Sequence, residues 1–265
     1  MTASLDTINN RESEDRFRQM SDAMESQGRS PDLRDERAAQ FLLWLLLAAD
    51  FAYIILHILY KTTTLLNSSY FSLKRDLGYS EFFQYAKFLW IIMLLIYVVK
   101  VTGTRGFLSW GAVFLYFLLD DAFQIHEDIG ERIAGALDFV PLFNLRLQDI
   151  GEAAVYAFAA LLLMPVVALA YERGSRLFRG ISKDILFLLL ILICFGFFVD
   201  MAEIAADQGV FVEETLGLVD DGGEMLVTSA LFWYVFRLAL RKGTIETFIL
   251  DRLRIRAGQR APKTG

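Results

Sequence analysis

The chain has 265 residues, of which 55% are hydrophobic and 22% are charged, and its formal net charge is −6. Its apolar share and its mean hydropathy of +0.41 exceed what is usual for soluble domains, in which about 45–50% of residues are apolar. The composition therefore excludes an ordinary soluble domain and indicates a polytopic membrane protein. One cysteine, Cys194, excludes an intrachain disulfide and a CxxC metal site.

The first 38 residues are polar and mix arginine with aspartate and glutamate. We expect residues 1–38 to form a mostly disordered cytoplasmic tail, because they offer too little apolar surface to fold. They contain no early apolar stretch of the kind found in a cleavable signal peptide. We therefore expect the first membrane span to act as an uncleaved signal.

Six apolar segments predict an all-α fold, a polytopic membrane helix bundle with six transmembrane helices. They run approximately over residues 41–60, 82–101, 107–125, 150–171, 185–206 and 222–240. We expect the transmembrane domain to cover residues 39–241. Pro165 should kink the fourth span, and residues 242–265 should form an amphipathic basic tail on the membrane surface.

Lysine and arginine counts in the connecting segments predict the orientation of the bundle. If both termini are cytoplasmic, the inner segments hold 19 basic residues and the outer segments hold five. Cytoplasmic loops carry the excess of basic residues in membrane proteins. The sequence therefore predicts that both termini are cytoplasmic.

Acidic residues collect at the predicted outer ends of spans three to six. The third span ends in acids that are followed by a histidine and a glutamate, in the run Asp120-Asp121-Ala122-Phe123-Gln124-Ile125-His126-Glu127. Three later pairs have a spacing that places both carboxylates on one helix face: Asp149 with Glu152, Asp200 with Glu203, and Asp221 with Glu224. His57, near the outer end of the first span, is expected at the same membrane face.

So many carboxylates in a low-dielectric region need compensation, and intramembrane acids indicate a functional site. Some could be protonated, basic residues such as Lys87 could pair with them, or a cation could bind among them. Because both histidines are expected at this face, a divalent metal ion of the Zn²⁺, Mn²⁺ or Fe²⁺ type is favoured over Ca²⁺ or Mg²⁺. The expected metal ligands are Asp120, Asp121, His126, Glu127, Glu152, Asp200, Glu203, Glu224 and His57.

Several of these residues have a second interpretation. On an ideal helix His126 points away from the stripe that contains Asp120. It joins the acids only if the helix loosens there, or else it serves a neighbouring helix. Asp149 and Asp221 also fit helix caps, whereas Asp120 lies at a helix C-terminal end, where the helix dipole disfavours negative charge. His57 fits a hydrogen-bonded core histidine equally well.

The run from Asp120 to Glu127 resembles a signature of uncharacterised bacterial multi-pass membrane proteins, Asp-(Asp/Glu)-x4-His-Glu at the end of a span. The resemblance implies an integral protein of a bacterial inner membrane, and no activity comes with it. Ceramidase-like membrane hydrolases bind zinc through three histidines that include a His-x-x-x-His pair. This chain has two histidines and no such pair, so that family is a poor match.

Three functions remain open. The first is a metal-dependent membrane enzyme that acts on a lipid or lipid-linked substrate, with Glu127 and Glu203 as general bases. The second is a divalent-cation or proton-coupled transporter, although the inner halves of spans three to six contain few polar residues. The third is a non-catalytic scaffold with a structural cation. Membrane lipid is the expected partner, no nucleic-acid signature is found, and homo-oligomerisation stays open.

Overall fold

The computed structural model describes residues 33–136, 146–199, 209–242 and 249, with the backbone alone for Leu33, Phe198 and residues 209–213. The chain forms two units, Met1–Ala38 and Ala39–Gly265, of which the second contains the helix bundle. Within the described residues every regular element is helical. The all-α prediction is therefore confirmed for this part of the chain.

The described residues form seven α-helices. They are α1 (Leu33–Thr62), α2 (Tyr79–Thr102), α3 (Phe107–Phe123), α4 (Ile125–Ala134), α5 (Leu147–Arg173), α6 (Arg176–Ile193) and α7 (Gly209–Leu240). A 3₁₀ turn, Ser69–Phe71, lies between α1 and α2. Helix α6 continues directly into a π-helical turn, Cys194–Val199.

Five helices in the described ranges, α1, α2, α5, α6 and α7, are long and apolar enough to cross a membrane. Helices α3 and α4 pass the same test only together, as a pair bent by 70°. Alone, the 17 residues of α3 span about 25 Å, which is less than the roughly 30 Å of a hydrocarbon core. The bundle thus has five or six candidate spans and is compatible with an integral membrane protein.

The predicted starts of the fifth and sixth spans lie well inside the observed helices. The fifth span was expected from residue 185, but α6 begins at Arg176, where the Ser175 side chain accepts a hydrogen bond from the Phe178 N–H at 3.2 Å. The sixth was expected from residue 222, but α7 begins at Gly209. The acidic residues near residue 221 had suggested the start of a helix. In the structure they lie inside α7 and line a cavity described below. Helix α5 continues through Pro165.

The apolar core lies between α2, α3, α6 and α7. Its largest fully buried apolar side chains include Phe88, Trp110, Phe114, Phe178 and Tyr234. Large exposed apolar residues occur on α1 and α5, among them Phe41, Trp44, Phe158 and Leu161. Such apolar surface is expected where helices contact lipid, so these faces are consistent with a membrane environment.

A buried ion pair connects α1, α2 and α7. Lys87 Nζ lies 3.1 Å from Asp50 Oδ1 and donates to the Met225 carbonyl oxygen at 2.9 Å, while the Ser229 hydroxyl donates to Asp50 Oδ2. Asp50, Lys87 and Ser229 are fully buried. Lys87 therefore has Asp50 as its ion-pair partner, rather than the outer acids for which the sequence suggested it as a counter-ion.

The bend between α3 and α4 is made by one residue. Gln124 has φ 50° and ψ 41°, in the left-handed region, and it both ends α3 and begins α4. A single left-handed residue is a common way to end a helix, although it is usually glycine or asparagine. This residue turns the start of α4 back towards the end of α3.

Two glycines let α4 pack closely on α5. A Cβ added to Gly130 would lie 2.8 Å from the Glu152 backbone nitrogen, and one added to Gly151 would collide with the Gly130 carbonyl group. Because glycine has no Cβ, the two backbones can approach to this distance. The contact fixes α4, and with it the residues just after the bend, against α5.

We expect Gly151→Ala to lower the Tm, because the added methyl group must push α4 away from α5. Overpacking of this kind costs about 1–3 kcal/mol. Gly111→Ala is the control, since a Cβ at this helical glycine meets nothing within 4 Å and should change stability by at most about 1 kcal/mol, in the stabilising direction. Thermal unfolding in one detergent measures both, and equal Tm values would contradict the close approach.

We expect Gln124→Val to be less stable than Gln124→Gly by about 1–3 kcal/mol, because a non-glycine side chain in the left-handed region is strained. Both variants remove the same side-chain amide, so the pair isolates the backbone conformation. Chemical or thermal unfolding of the two proteins gives the difference. Equal stabilities would show that residue 124 does not need the left-handed conformation.

Candidate metal centre

The bend at Gln124 brings three potential metal ligands together. Asp120 and Asp121 belong to the last turn of α3, and His126 belongs to the first turn of α4. Each offers one ligand atom, and these atoms lie within 4.8 Å of one another. His126 Nδ1 is 3.1 Å from Asp120 Oδ2. His126 thus joins the acids through a helix break, which is the first of its two sequence-based alternatives.

Asp120 is fully buried, and its second oxygen, Oδ1, accepts no hydrogen bond of ordinary geometry among the described residues. The Tyr116 hydroxyl, one turn earlier on α3, lies close enough to interact with this carboxylate. A buried carboxylate oxygen without a well-formed hydrogen bond is costly. Its position at the C-terminal end of α3 adds an unfavourable interaction with the helix dipole. A cation bound beside Asp120 would remove both costs.

The imidazole of His126 is held from two sides. Its ring stacks on Tyr156 of α5, with centroids 5.1 Å apart and an interplanar angle of 28°. Its Nε2 is 3.9 Å from Glu127 Oε1. This distance is beyond hydrogen-bond range, so the described contacts that fix the ring are the stacking on Tyr156 and the pairing with Asp120.

The cluster adjoins a cavity of about 630 Å³ enclosed by α2 to α7 and the segment before α2. One part of its wall is strongly acidic. The carboxylates that line it are Asp76, Glu81, Asp121, Glu127, Asp149, Glu152, Asp220, Asp221 and Glu224. Among the described residues, no lysine or arginine lines this cavity.

The rest of the cavity wall is apolar. It is formed by side chains that include Phe88, Val113, Phe117, Leu163, Leu189 and Leu192. Along α5 the lining extends from Glu152 to Leu163, a distance of about 16 Å at the helical rise per residue. The cavity is therefore amphipathic, with carboxylates at one end and hydrocarbon side chains at the other.

Three other predicted ligands reach the cavity without joining the three-residue group. Glu127, Glu152 and Glu224 line the wall together with Asp121 and His126. Glu152 Oε1 accepts a hydrogen bond from Gln148 Nε2 at 2.9 Å. Glu224 packs closely against Gly196 in the π-helical turn. A π-helical turn often marks a functional site, and the missing Cβ of Gly196 lets this turn approach α7 beside the cavity.

The two predicted helix caps have different outcomes. The Asp149 carboxylate accepts the Arg146 backbone N–H at 2.7 Å and its guanidinium Nη2 at 2.7 Å. Asp149 is therefore not the N-cap residue of α5, which is Arg146; it is the third residue of the helix, and its side chain bonds back to the N-cap in a capping box. Asp221 lies well inside α7, so the interpretation of Asp221 as a cap is wrong.

His57 lies apart from this centre. It is 3% exposed, and its Nδ1 accepts a hydrogen bond from the Leu73 N–H at 2.9 Å. It belongs neither to the three-residue group nor to the cavity wall, so its contacts are those of a hydrogen-bonded core histidine. Asp200 and Glu203 lie outside the described residues, and their roles stay predictions.

The cavity also contains polar residues that the sequence reasoning missed. They are Glu81, Gln84, Tyr85, Tyr116 and Tyr156. The Tyr85 hydroxyl is 2.8 Å from Glu81 Oε2 and 3.1 Å from the Asp121 carbonyl oxygen, and it connects α2 to the end of α3. Helical spacing was the available signal, because Tyr116 and Tyr156 each lie four residues from a predicted ligand.

A comparison of the chain with curated proteins and with solved structures gave no match. A family model matches residues 39–240, which are most of the chain and include every cluster and cavity residue described above. This agrees with the resemblance to uncharacterised proteins drawn from the run between Asp120 and Glu127. The chain belongs to the family described as a domain of unknown function, DUF8692.

Proposed function

We propose that this is an integral membrane protein that binds a divalent metal ion through Asp120, Asp121 and His126. The observation that carries the proposal is the fully buried Asp120. Its Oδ1 accepts no hydrogen bond of ordinary geometry in the described part of the chain, and a second carboxylate and an imidazole lie within ligand distance. Two oxygens and one imidazole nitrogen suit Zn²⁺, Mn²⁺ or Fe²⁺ better than Ca²⁺ or Mg²⁺.

We further propose that the metal serves a reaction on a lipid or lipid-linked substrate. A bound ion of this kind polarises a carbonyl or phosphoryl oxygen, or lowers the pKa of a bound water. Glu127, whose Oε1 is 3.9 Å from His126 Nε2 and which lines the cavity, is the best-placed general base. The apolar end of the same cavity favours a substrate with a hydrocarbon chain, and this supports a lipid over a water-soluble molecule.

The proposed location of the site is the extracytoplasmic face of a bacterial inner membrane. The distribution of lysine and arginine along the sequence supports this orientation, with 19 basic residues in the inner segments and five in the outer ones. In that orientation a lipid in the outer leaflet would present its head group near the acidic end of the cavity.

The buried Asp50–Lys87 pair supports proton-coupled transport as a second candidate, because intramembrane ion pairs often belong to ion pathways. Lys87 also donates to the carbonyl oxygen of Met225, which lines the cavity. However, the core next to this pair is filled with fully buried apolar residues, such as Leu95 and Leu231. We therefore favour the enzyme over the transporter, and over a scaffold with a structural cation.

Elemental analysis by plasma mass spectrometry tests the metal site directly. We expect a near-stoichiometric transition metal in the wild-type protein, purified without a chelator. The metal content should fall at least about tenfold in Asp120→Ala and His126→Ala, because the loss of even an outer contact to a ligand changes metal affinity by about 10–100-fold. Asp128→Ala is the matched control, because Asp128 is an exposed acid on α4 outside the cavity wall. It should keep the metal.

Full metal content in Asp120→Ala, in protein with the size-exclusion profile of the wild type, would overturn the ligand assignment. Once the metal is established, turnover of lipids in proteoliposomes distinguishes the enzyme from the other two functions. Ion flux without lipid turnover would show that the protein is a transporter and not an enzyme. If the protein shows neither lipid turnover nor ion flux, the remaining interpretation is a scaffold with a structural cation.

A further inference from the structure

The amphipathic cavity has an electrostatic character that selects its ligand. Nine carboxylates line the wall, and in the described residues no lysine or arginine joins them. One of the nine, Asp149, is compensated by Arg146. Even with a divalent ion bound and some of the carboxylates protonated, acidic side chains outnumber basic ones in the described part of the wall. Like charges in a site of low dielectric repel strongly, so an anionic head group is disfavoured there.

Gln84 points to the kind of cation that fits. This residue lines the cavity and is 7% exposed, and its carbonyl oxygen, Oε1, has no hydrogen-bond partner among the described residues. A buried acceptor of this kind is costly unless a donor reaches it. Carboxylates are likewise acceptors only. A ligand that brings N–H groups would supply the donor that Gln84 Oε1 lacks among the described residues, and it would also bond to the carboxylates.

The apolar end determines the rest of the ligand. Ala153, Ala157 and Ala160 line the cavity at helical spacing on one face of α5. Their small side chains leave open the space that continues to Leu163. The volume of about 630 Å³ lies within the roughly 300–1,000 Å³ typical of sites for one small molecule. The shape suits one hydrocarbon chain better than a bulky head group.

We propose that the cavity binds a single-chain amphiphile whose head group is a protonated primary amine. The ammonium group lies among the carboxylates and Gln84, and the chain lies along the alanine face of α5. This inference rests on the proposed function for the identity of the site, because it names the substrate class of the same cavity. Two of the proposed metal ligands, Asp121 and His126, line the cavity, but Asp120 does not, so a substitution of Asp120 tests metal binding without changing the cavity wall.

Octylammonium is the probe, titrated calorimetrically into the full-length protein in phosphatidylcholine nanodiscs, with empty nanodiscs subtracted. We expect octylammonium to bind saturably. Octyl glucoside, which is uncharged, and octyltrimethylammonium, which has no N–H donor, should each bind at least about tenfold more weakly, equivalent to about 1.4 kcal/mol. Octyl sulfate should not bind. Heat equal to that of empty nanodiscs, or equal affinity for octyl glucoside or for octyltrimethylammonium, would overturn the proposal.

Matched variants locate the bound molecule. Ala160→Leu should weaken octylammonium binding about tenfold, equivalent to about 1.4 kcal/mol, because the larger side chain fills the apolar end. Ala154 and Ala160 are both exposed, but only Ala160 lines the cavity, so Ala154→Leu makes the same change outside the wall and should have no effect. Gln84→Met should also weaken binding. Equal effects of the two alanine variants would overturn the assignment to this cavity.

Asp120→Asn separates this inference from the proposed function. It should lose the metal and still bind octylammonium in nanodiscs. If the wild-type protein holds metal but binds no octylammonium, the amine proposal fails and the metal site stands. If octylammonium binds and no metal is found in the wild type, the metal site fails and the amphiphile cavity stands.

Discussion

The backbone conformation of Gln124 is the constraint on which the candidate site depends. On a continuous helix His126 would point away from Asp120, but one left-handed residue turns the chain by 70° and brings the imidazole to 3.1 Å from the carboxylate. The contact of Gly130 with Gly151 then holds α4 against α5, where Tyr156 stacks on the His126 ring. A strained residue and a glycine contact thus position the three proposed ligands.

Charge burial follows two different patterns in this bundle. Asp50 is compensated within the protein by Lys87 and Ser229, and such a satisfied pair needs no ligand. Removing one member of a buried pair is costly, while the pair as a whole is close to neutral. Asp120 is equally buried, but its Oδ1 accepts no hydrogen bond of ordinary geometry in the part of the chain that the structure describes. This contrast supports a bound cation at Asp120 and a structural role for the deeper pair.

Much of the fold could be predicted from the sequence, because apolar segments of about 20 residues are a strong signal for membrane-spanning helices. The signal fails where carboxylates interrupt a helix. The acids near Asp221 suggested a helix start, yet α7 begins at Gly209, since these side chains face a cavity and need not end the helix.

Which residues form the candidate site was harder to predict. Asp120, Asp121 and His126 share one short run, but whether they meet depends on the backbone at Gln124, and glutamine gives no sequence signal for a left-handed residue. The amphipathic cavity could not be predicted either, because its wall combines residues from six helices whose order in the bundle the sequence does not specify. His57 illustrates the limit, since depth alone suggested a ligand that the packing places elsewhere.

X-ray absorption spectroscopy at the zinc edge, on zinc-loaded protein purified without a histidine tag, tests the metal assignment most directly. The chain has two histidines, so an imidazole signal comes from one or both of them. The account predicts oxygen and nitrogen ligands at about 2.0–2.2 Å, imidazole scattering that persists in His57→Ala, and bound zinc that falls at least about tenfold in His126→Ala. Imidazole scattering that persists in His126→Ala and disappears in His57→Ala, or a sulfur ligand, would contradict it.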